Sequence, residues 1–403
     1  MRQPINCSRA LVFEDKKTAR AEMELLGCDP RGIAIMEDKS VFYKIKITNL
    51  TPGQANIIKQ EMLSLGGEGA NHYKTINCKI EKTDIIIFGR EKELHLLAKK
   101  LQHNPFGLPD IGKLIRETLK KFSSHPLSIK FNNGKIFDFS KKSYIMGILN
   151  VTPDSFSDGG KFYSKDSAFK HAMDMIENGA DIIDIGGEST RPGSTSIDLE
   201  EELRRVIPVI KMIRKESNAI ISIDTQKSDV VRKALIEGVD MINDVSGMRN
   251  DPKIAKLALK YGAKVILMHM KGVPKNMQLS PKYNDIMGEI YLFLHERVEF
   301  LRKTGILLSN IIVDPGFGFG KSVDDNYTIL RRLKEFKSLG LPILVGTSRK
   351  SMIGAADQSP LDDRLAGSIA TATIALFNGA NIVRVHDVCE MRQAAKVIDM
   401  MKN

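Results

Sequence analysis

The chain has no tryptophan, few aromatic residues of any kind (6%) and only four cysteines in 403 residues. Each scarcity removes a class of protein. Cys7, Cys28, Cys78 and Cys389 form no Cys-x-x-Cys pair and are too sparse for a disulfide scaffold of this length, so they read as reduced structural thiols. No apolar run reaches the roughly 18 to 20 residues that a membrane-spanning helix needs. Met1 to Ala10 hold neither an apolar h-region nor a small-residue cleavage site, and the expectation is a cytoplasmic protein with no membrane partner. A net charge of +11 could signal nucleic acid, yet basic residues are interleaved with acidic ones, as in Glu91-Lys92-Glu93, and few aromatics accompany them. That pattern suits a solvated surface plus a site for anionic substrates, and makes a nucleic-acid partner the minor reading.

With 42% hydrophobic residues, the chain can bury one large core and one smaller one. Residues 1–125 carry 21 Lys and Arg against 15 Asp and Glu, so the basic excess is densest there. Strand-like runs (Val41 to Ile47, Asp84 to Phe88) mix with helix-like ones (Lys17 to Leu26, Gln54 to Leu65, Glu91 to Leu101), which predicts a small α+β N-terminal domain. Pro105 to Pro109 reads as a break before one more helix ending near Phe122. From residue 126 on the pattern changes. Two alternating runs, Leu127 to Phe131 and Lys135 to Phe139, flank Asn132-Asn133-Gly134, the strongest short-range hairpin signal, and a hairpin here is placed to close the bottom of a domain built from residues C-terminal to it. Eight short apolar runs then begin near Tyr144, Asp181, Ile220, Met241, Lys264, Asn310, Pro342 and Asn381, separated by amphipathic stretches. Strands alternating with helices at a period of about 34 residues predict parallel strands in an α/β (β/α)₈ TIM barrel over 126–403; a doubly wound open sheet is the runner-up.

In such a barrel the active site lies at the C-terminal ends of the strands. Nearly every run here ends in a polar residue: Asn150, Asp184, Asp224, Asn243 with Asp244, Asp314, then Lys350 after the seventh run, and Arg384 and His386 in the eighth. A lone Asp after a strand is often just a helix cap, a reading that carries most weight for Asp244. Several Asp and Asn acceptors with one Lys suit a pterin ring, whose 2-amino and ring N–H groups seek acceptors while O4 and N5 seek donors. Arg191, Lys350, Arg384 and His386 remain for anions. Two turn-rich loops, 150–160 with Phe156 and 186–193 with Arg191, read as mobile lids. Gly346-Thr347-Ser348-Arg349-Lys350-Ser351 enters a helix, whose first N–H groups favour a carboxylate or phosphate. Asp314 to Ser322 looks superficially like a P-loop, but Pro315 stands where that motif needs its first glycine, so a nucleotide site is rejected.

Taken together, MGILNVTPDSFSDGG from Met146, DIGGESTRPG from Asp184, SIDT from Ser222, INDVSG from Ile242, MHMKG from Met268, DPGFGFGK from Asp314, GTSRKS from Gly346 and RVHD from Arg384 resemble the dihydropteroate synthase family, in its order, over about two-thirds of the chain. The resemblance implies a transferase of folate biosynthesis that condenses (7,8-dihydropterin-6-yl)methyl diphosphate with 4-aminobenzoate, releasing diphosphate and 7,8-dihydropteroate. It implies pterin binding by Asp224, Asn243, Asp314 and Lys350 with Arg384 against the ring, and diphosphate binding by Asn150, Arg384 and His386. It further implies Mg²⁺ near Asn150, and closure of Phe156, Thr190, Arg191 and Pro192 around p-aminobenzoate, whose carboxylate meets Ser351. Asn150, Arg191, Lys350, Arg384 and His386 would then carry catalysis, sulfonamides would imitate p-aminobenzoate, and the family precedent with the apolar run Ala366 to Phe377 makes a homodimer the expectation. The first 125 residues are not explained by the resemblance; a small folded module is expected, with RNA binding the minority reading. A corrinoid-linked methyltransferase would share the pocket but would not need Glu188 to Gly193 or Ser348 to Ser351, and a non-catalytic pterin-binding protein could lose Arg191, Lys350 or His386, all of which are present.

Overall fold

The structure, a computed structural model, describes residues 8–13, 15–152, 163–188, 197–272, 277 and 281–402. The chain divides into two compact units, Met1–Ser123 and Ser124–Asn403. In the first, β1 (Phe42–Leu50), β2 (Glu68–Asn71) and β3 (Thr83–Arg90) form an antiparallel sheet with β3 in the centre. Ile45 and Ile47 of β1 and Ile85 and Ile87 of β3 alternate onto one face, as the two-residue period of a strand requires. That face packs on α3 (Pro52–Ser64), α4 (Glu91–Leu101) and α5 (Leu108–Ser123) through Ile58, Met62, Leu94, Leu97 and Ile115. Helix α3 starts where its sequence says it should: Thr51 and Gln54 form a capping box around Pro52, which tolerates the first turn because its missing N–H would have had no partner there. The short helices α1 (Lys16–Leu25) and α2 (Pro30–Met36) precede the sheet.

The second unit is the TIM barrel. Its strands are β6 (Tyr144–Asn150), β7 (Ile182–Gly186), β8 (Ile220–Asp224), β9 (Met241–Asp244), β10 (Lys264–Met268), β11 (Ile311–Asp314), β12 (Leu344–Val345) and β13 (Ile382–Val385), each within two residues of the predicted start. They are hydrogen-bonded in parallel, in the order β11-β10-β9-β8-β7-β6-β13-β12, and a further parallel bridge from Val313 to Ile343 joins the two ends of that order. An open doubly wound sheet has no such closure. Helices α6 (Tyr163–Glu177) to α14 (Val388–Lys402) fill the intervals between strands.

Strand residues alternate between two environments. Ile183, Ile185, Ile221, Ile223, Val265, Leu267, Val313 and Val383 face the helices. The other set faces the barrel axis and changes character along it. At the N-terminal end it is apolar, with Tyr144, Met146, Ile182, Ile220, Met241, Ile266, Ile312, Leu344 and Ile382 in one cluster with Ile129, Phe131, Phe137 and Phe139. These last four belong to or flank the hairpin of β4 (Ile129–Lys130) and β5 (Ile136–Phe137), which closes this end as expected. Two residues further along the same inward rows stand Asp184, Ser222, Asn243, Asp314 and Arg384, all polar. One end of the axis is therefore a hydrophobic plug and the other a charged mouth.

Candidate active site

Asp184 is fully buried in the middle of β7, and its Oδ2 accepts hydrogen bonds from Arg384 Nε at 2.6 Å and from Asn243 Nδ2 at 3.0 Å. Arg384 reaches on to Asp224 with its Nη2, 2.9 Å from Oδ2. Two carboxylates on neighbouring strands thus share one guanidinium, and both hold Arg384 in place at the mouth. Its pKa is raised: burial opposes the charge, but Asp184, Asp224 and Asp314 outweigh it. The second oxygens, Asp184 Oδ1 and Asp224 Oδ1, are buried with no hydrogen-bond partner among the described residues. A buried acceptor without a donor costs about 1–3 kcal/mol, so each is a place where a ligand N–H would be rewarded. Burial pushes Asp224 up to about 7; the Arg384 charge pulls it back and Asp184 pushes it further up.

Asp314, at the end of β11, accepts from Gly316 N at 2.7 Å. Burial pushes its pKa up against the pull of the Lys350 charge. Lys350 Nζ donates to the carbonyl of Phe317 and lies 4.6 Å from the centre of the Phe319 ring, close enough for a cation–π contact. Burial lowers Lys350 to about 8, with Asp314 pulling the other way. Asp224, Asn243, Asp314, Lys350, Arg384 and Asp184, singled out in the sequence, therefore share the polar end of the barrel axis or the loops next to it. His386 follows β13, where its Nδ1 lies 2.9 Å from Ser348 Oγ, and that oxygen also accepts from His386 N at 3.2 Å. The donor on the shorter bond depends on the ring tautomer. Ser351 opens the seven-residue helix α12 (Ser351–Asp357) and is exposed.

Asn150 ends β6 opposite Gly186. A Cβ placed on Gly186 would touch Asn150 Oδ1 at 3.7 Å and Asp224 Cβ at 3.7 Å, so the glycine keeps a space open between them. Asp244 has a different job: it accepts from Ser246 N at 2.7 Å and Met248 N at 3.0 Å, which fixes the turn after β9 rather than a ligand. Phe156, Thr190, Arg191 and Pro192 lie outside the described residues, as do most of the two loops read as lids.

Three functional neighbours were missed in the sequence. Lys227, just after β8, donates to Glu188 Oε2 (2.6 Å), Glu202 Oε2 (2.7 Å) and Ile197 O (2.8 Å), joining the residues that flank 189–196. Lys321 and His269 form a buried pair behind the β11 turn, with Lys321 Nζ 3.0 Å from His269 Nδ1. Lys321 and His269 stood in view only inside the family-like segments DPGFGFGK and MHMKG, and Lys321 also in the rejected P-loop, with no role given to either. Among the described residues no cluster of three or more His, Cys, Asp or Glu side chains is arranged to hold a metal ion. No described helix is long and apolar enough to cross a membrane.

Residues 146–386 match the model of the family described as pterin binding enzyme. The dihydropteroate synthase of Synechocystis sp. is 49% identical over 267 residues, which cover 66% of this chain and 92% of that protein. A probable bifunctional folylpolyglutamate synthase/dihydropteroate synthase of Halobacterium salinarum is 39% identical over 382 residues, covering 94% of this chain, so that match extends beyond the barrel into the first unit, and 45% of that protein. Among solved structures, the Yersinia pestis dihydropteroate synthase with a sulfonamide drug complex superposes with a TM-score of 0.65 at 43% identity, covering 68% of this chain and 99% of that one.

Proposed function

This chain belongs to the pterin binding enzyme family, and from that premise we infer how its barrel works as a dihydropteroate synthase, a transferase of folate biosynthesis. The reaction joins (7,8-dihydropterin-6-yl)methyl diphosphate to 4-aminobenzoate. The methylene C–O bond breaks with its electron pair leaving on diphosphate, the aryl nitrogen forms the new C–N bond, and one amine proton is lost. The observation that carries the reading of the pocket is the buried Asp224 Oδ1, without a partner among the described residues, beside Asn243, Asp314 and Lys350.

The assignment of roles rests on the chemistry of each group. Asp224, Asn243 and Asp314 offer acceptors to the pterin 2-amino and ring N–H groups, and Lys350 donates to O4 or N5. Arg384 lies against the ring. Its guanidinium is already tied to Asp184 and Asp224, so it is oriented before substrate arrives, which spares the cost of ordering it at that moment. Asp184 is a positioning residue, acting through Arg384 and Asn243. The electron-rich pterin supports positive charge on the methylene, so bond breaking runs ahead of amine attack and the protein's task is to stabilise the departing diphosphate and exclude water. Arg384 and His386 provide positive charge or N–H donors for that group. A free arylamine is already nucleophilic, so no residue needs to abstract its proton in the bond-forming step. Arg191, Thr190, Pro192 and Phe156 are assigned to 4-aminobenzoate, with the exposed Ser351 at the start of α12 meeting its carboxylate. A sulfonamide would compete for that position.

Magnesium fits this mouth. The Asn150 amide oxygen borders the space that Gly186 leaves open, and a hard cation that keeps several waters and takes its remaining ligands from phosphate oxygens needs few protein donors. Held by Asn150 and the diphosphate, it would supply charge neutralisation of the leaving group.

A cytoplasmic homodimer completes the proposal, supported by the exposed apolar residues Leu365, Ile374 and Phe377 of α13 (Leu365–Phe377). Sedimentation equilibrium yielding a single monomeric species would refute the dimer. The function is tested by following dihydropteroate and diphosphate together from purified protein, both substrates and Mg²⁺. Equal formation of the two, abolished by chelation, supports the scheme. Pterin binding without product would leave a binding protein.

A further inference from the structure

We propose that Lys321 is a positioning residue for pterin recognition: from inside the protein it holds the 315–320 turn in the shape that presents the Phe317 carbonyl to Lys350. The inference rests on the pterin reading of the pocket.

Lys321 is 2% exposed, yet the hydrogen-bond partners of its amine among the described residues are not carboxylates. Its Nζ lies 2.7 Å from Gly316 O, 3.0 Å from His269 Nδ1, 3.1 Å from Phe319 O and 3.3 Å from His269 O. An ammonium would spend its three N–H donors on these partners; a neutral amine would donate to two of the carbonyls and accept from His269 Nδ1–H, the ring tautomer deciding between them. Burial pulls the group well below its ordinary range while Asp314 pulls it up. In either form the buried amine is costly, and an apolar side chain of similar length would fill the space at less expense. What the amine adds is the gathering of backbone carbonyls.

Those carbonyls are in a telling place. Gly316 and Phe319 bracket Phe317, whose own carbonyl receives Lys350. The turn is unusual backbone, with Gly316, Gly318 and Gly320 at φ of +71°, +76° and +64°. A Cβ at Gly316 or Gly320 would collide with the carbonyl oxygens of His269 and Lys271, so the turn lies directly on the segment after β10. Lys321 ties the two together, from the turn to His269. Lys350 leans on the same turn from the pocket side, with its Cδ 3.1 Å from where a Gly318 Cβ would be and its ammonium over Phe319. A shift of the turn is thus a shift of the Lys350 ammonium.

Lys321→Met keeps the length and removes the donors. In the full-length protein with Mg²⁺, the KM for the pterin diphosphate is expected to rise about 10-fold, with the KM for 4-aminobenzoate within about twofold of wild type. Equal rises in both, or a loss of thermal stability with the pterin KM unchanged, would overturn the proposal in favour of a purely structural role. Combining the change with Lys350→Met should weaken pterin binding, measured by calorimetry, no more than Lys350→Met alone; additive losses would mean that Lys321 does not act through Lys350. If Lys321→Met does not fold, His269→Phe removes only the ring partner and decides the question, a pterin KM raised about threefold supporting the proposal and an unchanged one sinking it. Failure of the wild-type protein to form dihydropteroate would instead count against the function itself, so the two failures are separable.

Discussion

At the scale of single residues, the pocket holds charges where burial disfavours them. Asp224 is pushed up to about 7 and Lys350 down to about 8. For a carboxyl raised above its unfolded value of roughly 4, the fold prefers the neutral acid, so its contribution to stability falls as pH rises from there through about 7. A lysine lowered from roughly 10.4 costs stability fully below about 8, and the cost is relieved above it. The same shifts have an opposite meaning for ligand. Pterin N–H groups need Asp224 ionised and O4 or N5 needs Lys350 charged, so affinity should rise as pH passes about 7 and fall as it passes about 8. Titration calorimetry from pH 6 to about 9.5 checks this; Asp224→Asn should remove the acid limb and Lys350→Met the alkaline one, and a flat profile for wild type would refute both assignments. Asp224, Asn243 and Asp314 were legible in the sequence because a polar side chain ending an apolar run has few other reasons to be there. Lys321 was not, because its partners are mostly backbone carbonyls, which leave no mark on residue type. Asp244, for which a local backbone role carried most weight in the sequence, fixes the turn after β9.

Elements differ in how much of their cause is local. The 129–137 hairpin was readable from Asn-Gly alone, and its position under the barrel follows from where Phe131 and Phe137 can be buried. The rings of Phe137 and Tyr144 stack with centroids 4.0 Å apart, and Asn132 and Asn133 bind the carbonyls of Tyr261 and Asn218 in the segments that enter β10 and β8. Phe137→Ala should therefore leave a cavity in the plug and cost about 3–5 kcal/mol. The site is at the other end of the strands, so thermal unfolding should shift down by several degrees while kcat/KM near 25 °C stays within about twofold; loss of activity without loss of stability would show that the plug is not merely structural. Strand β2 was invisible by contrast. Glu68-Gly69-Ala70-Asn71 has little strand propensity and is extended because β3 offers it a ladder, with Gly69 opposite Ile87. Short α2 had its signal, Asp29 before Pro30, with the Asp29 side chain accepting from Arg31 N and Gly32 N, but seven residues are too few for a periodic face.

The molecule as a whole has two separate cores, one around Ile58, Leu94 and Leu97 and one around the barrel strands. The barrel was foreseen from eight repeats of one pattern, each repeat confirming the others, whereas the first unit offered no repetition and no motif. That asymmetry has a functional counterpart. The Synechocystis enzyme is matched over 92% of its length by 267 residues of this chain, and the family match lies within the barrel, at residues 146–386. The first unit also holds a disproportionate share of the net charge, +6 of +11 within residues 1–125. Residues 124–403 produced alone should thus fold cooperatively and form dihydropteroate with kcat and both KM values within about threefold of the full chain, because each core is closed by its own side chains. Circular dichroism and the coupled product assay on the separated barrel decide it. A folded barrel with turnover reduced a hundredfold and restored by adding residues 1–123 in trans would make the first unit a participant in catalysis rather than a neighbour of it.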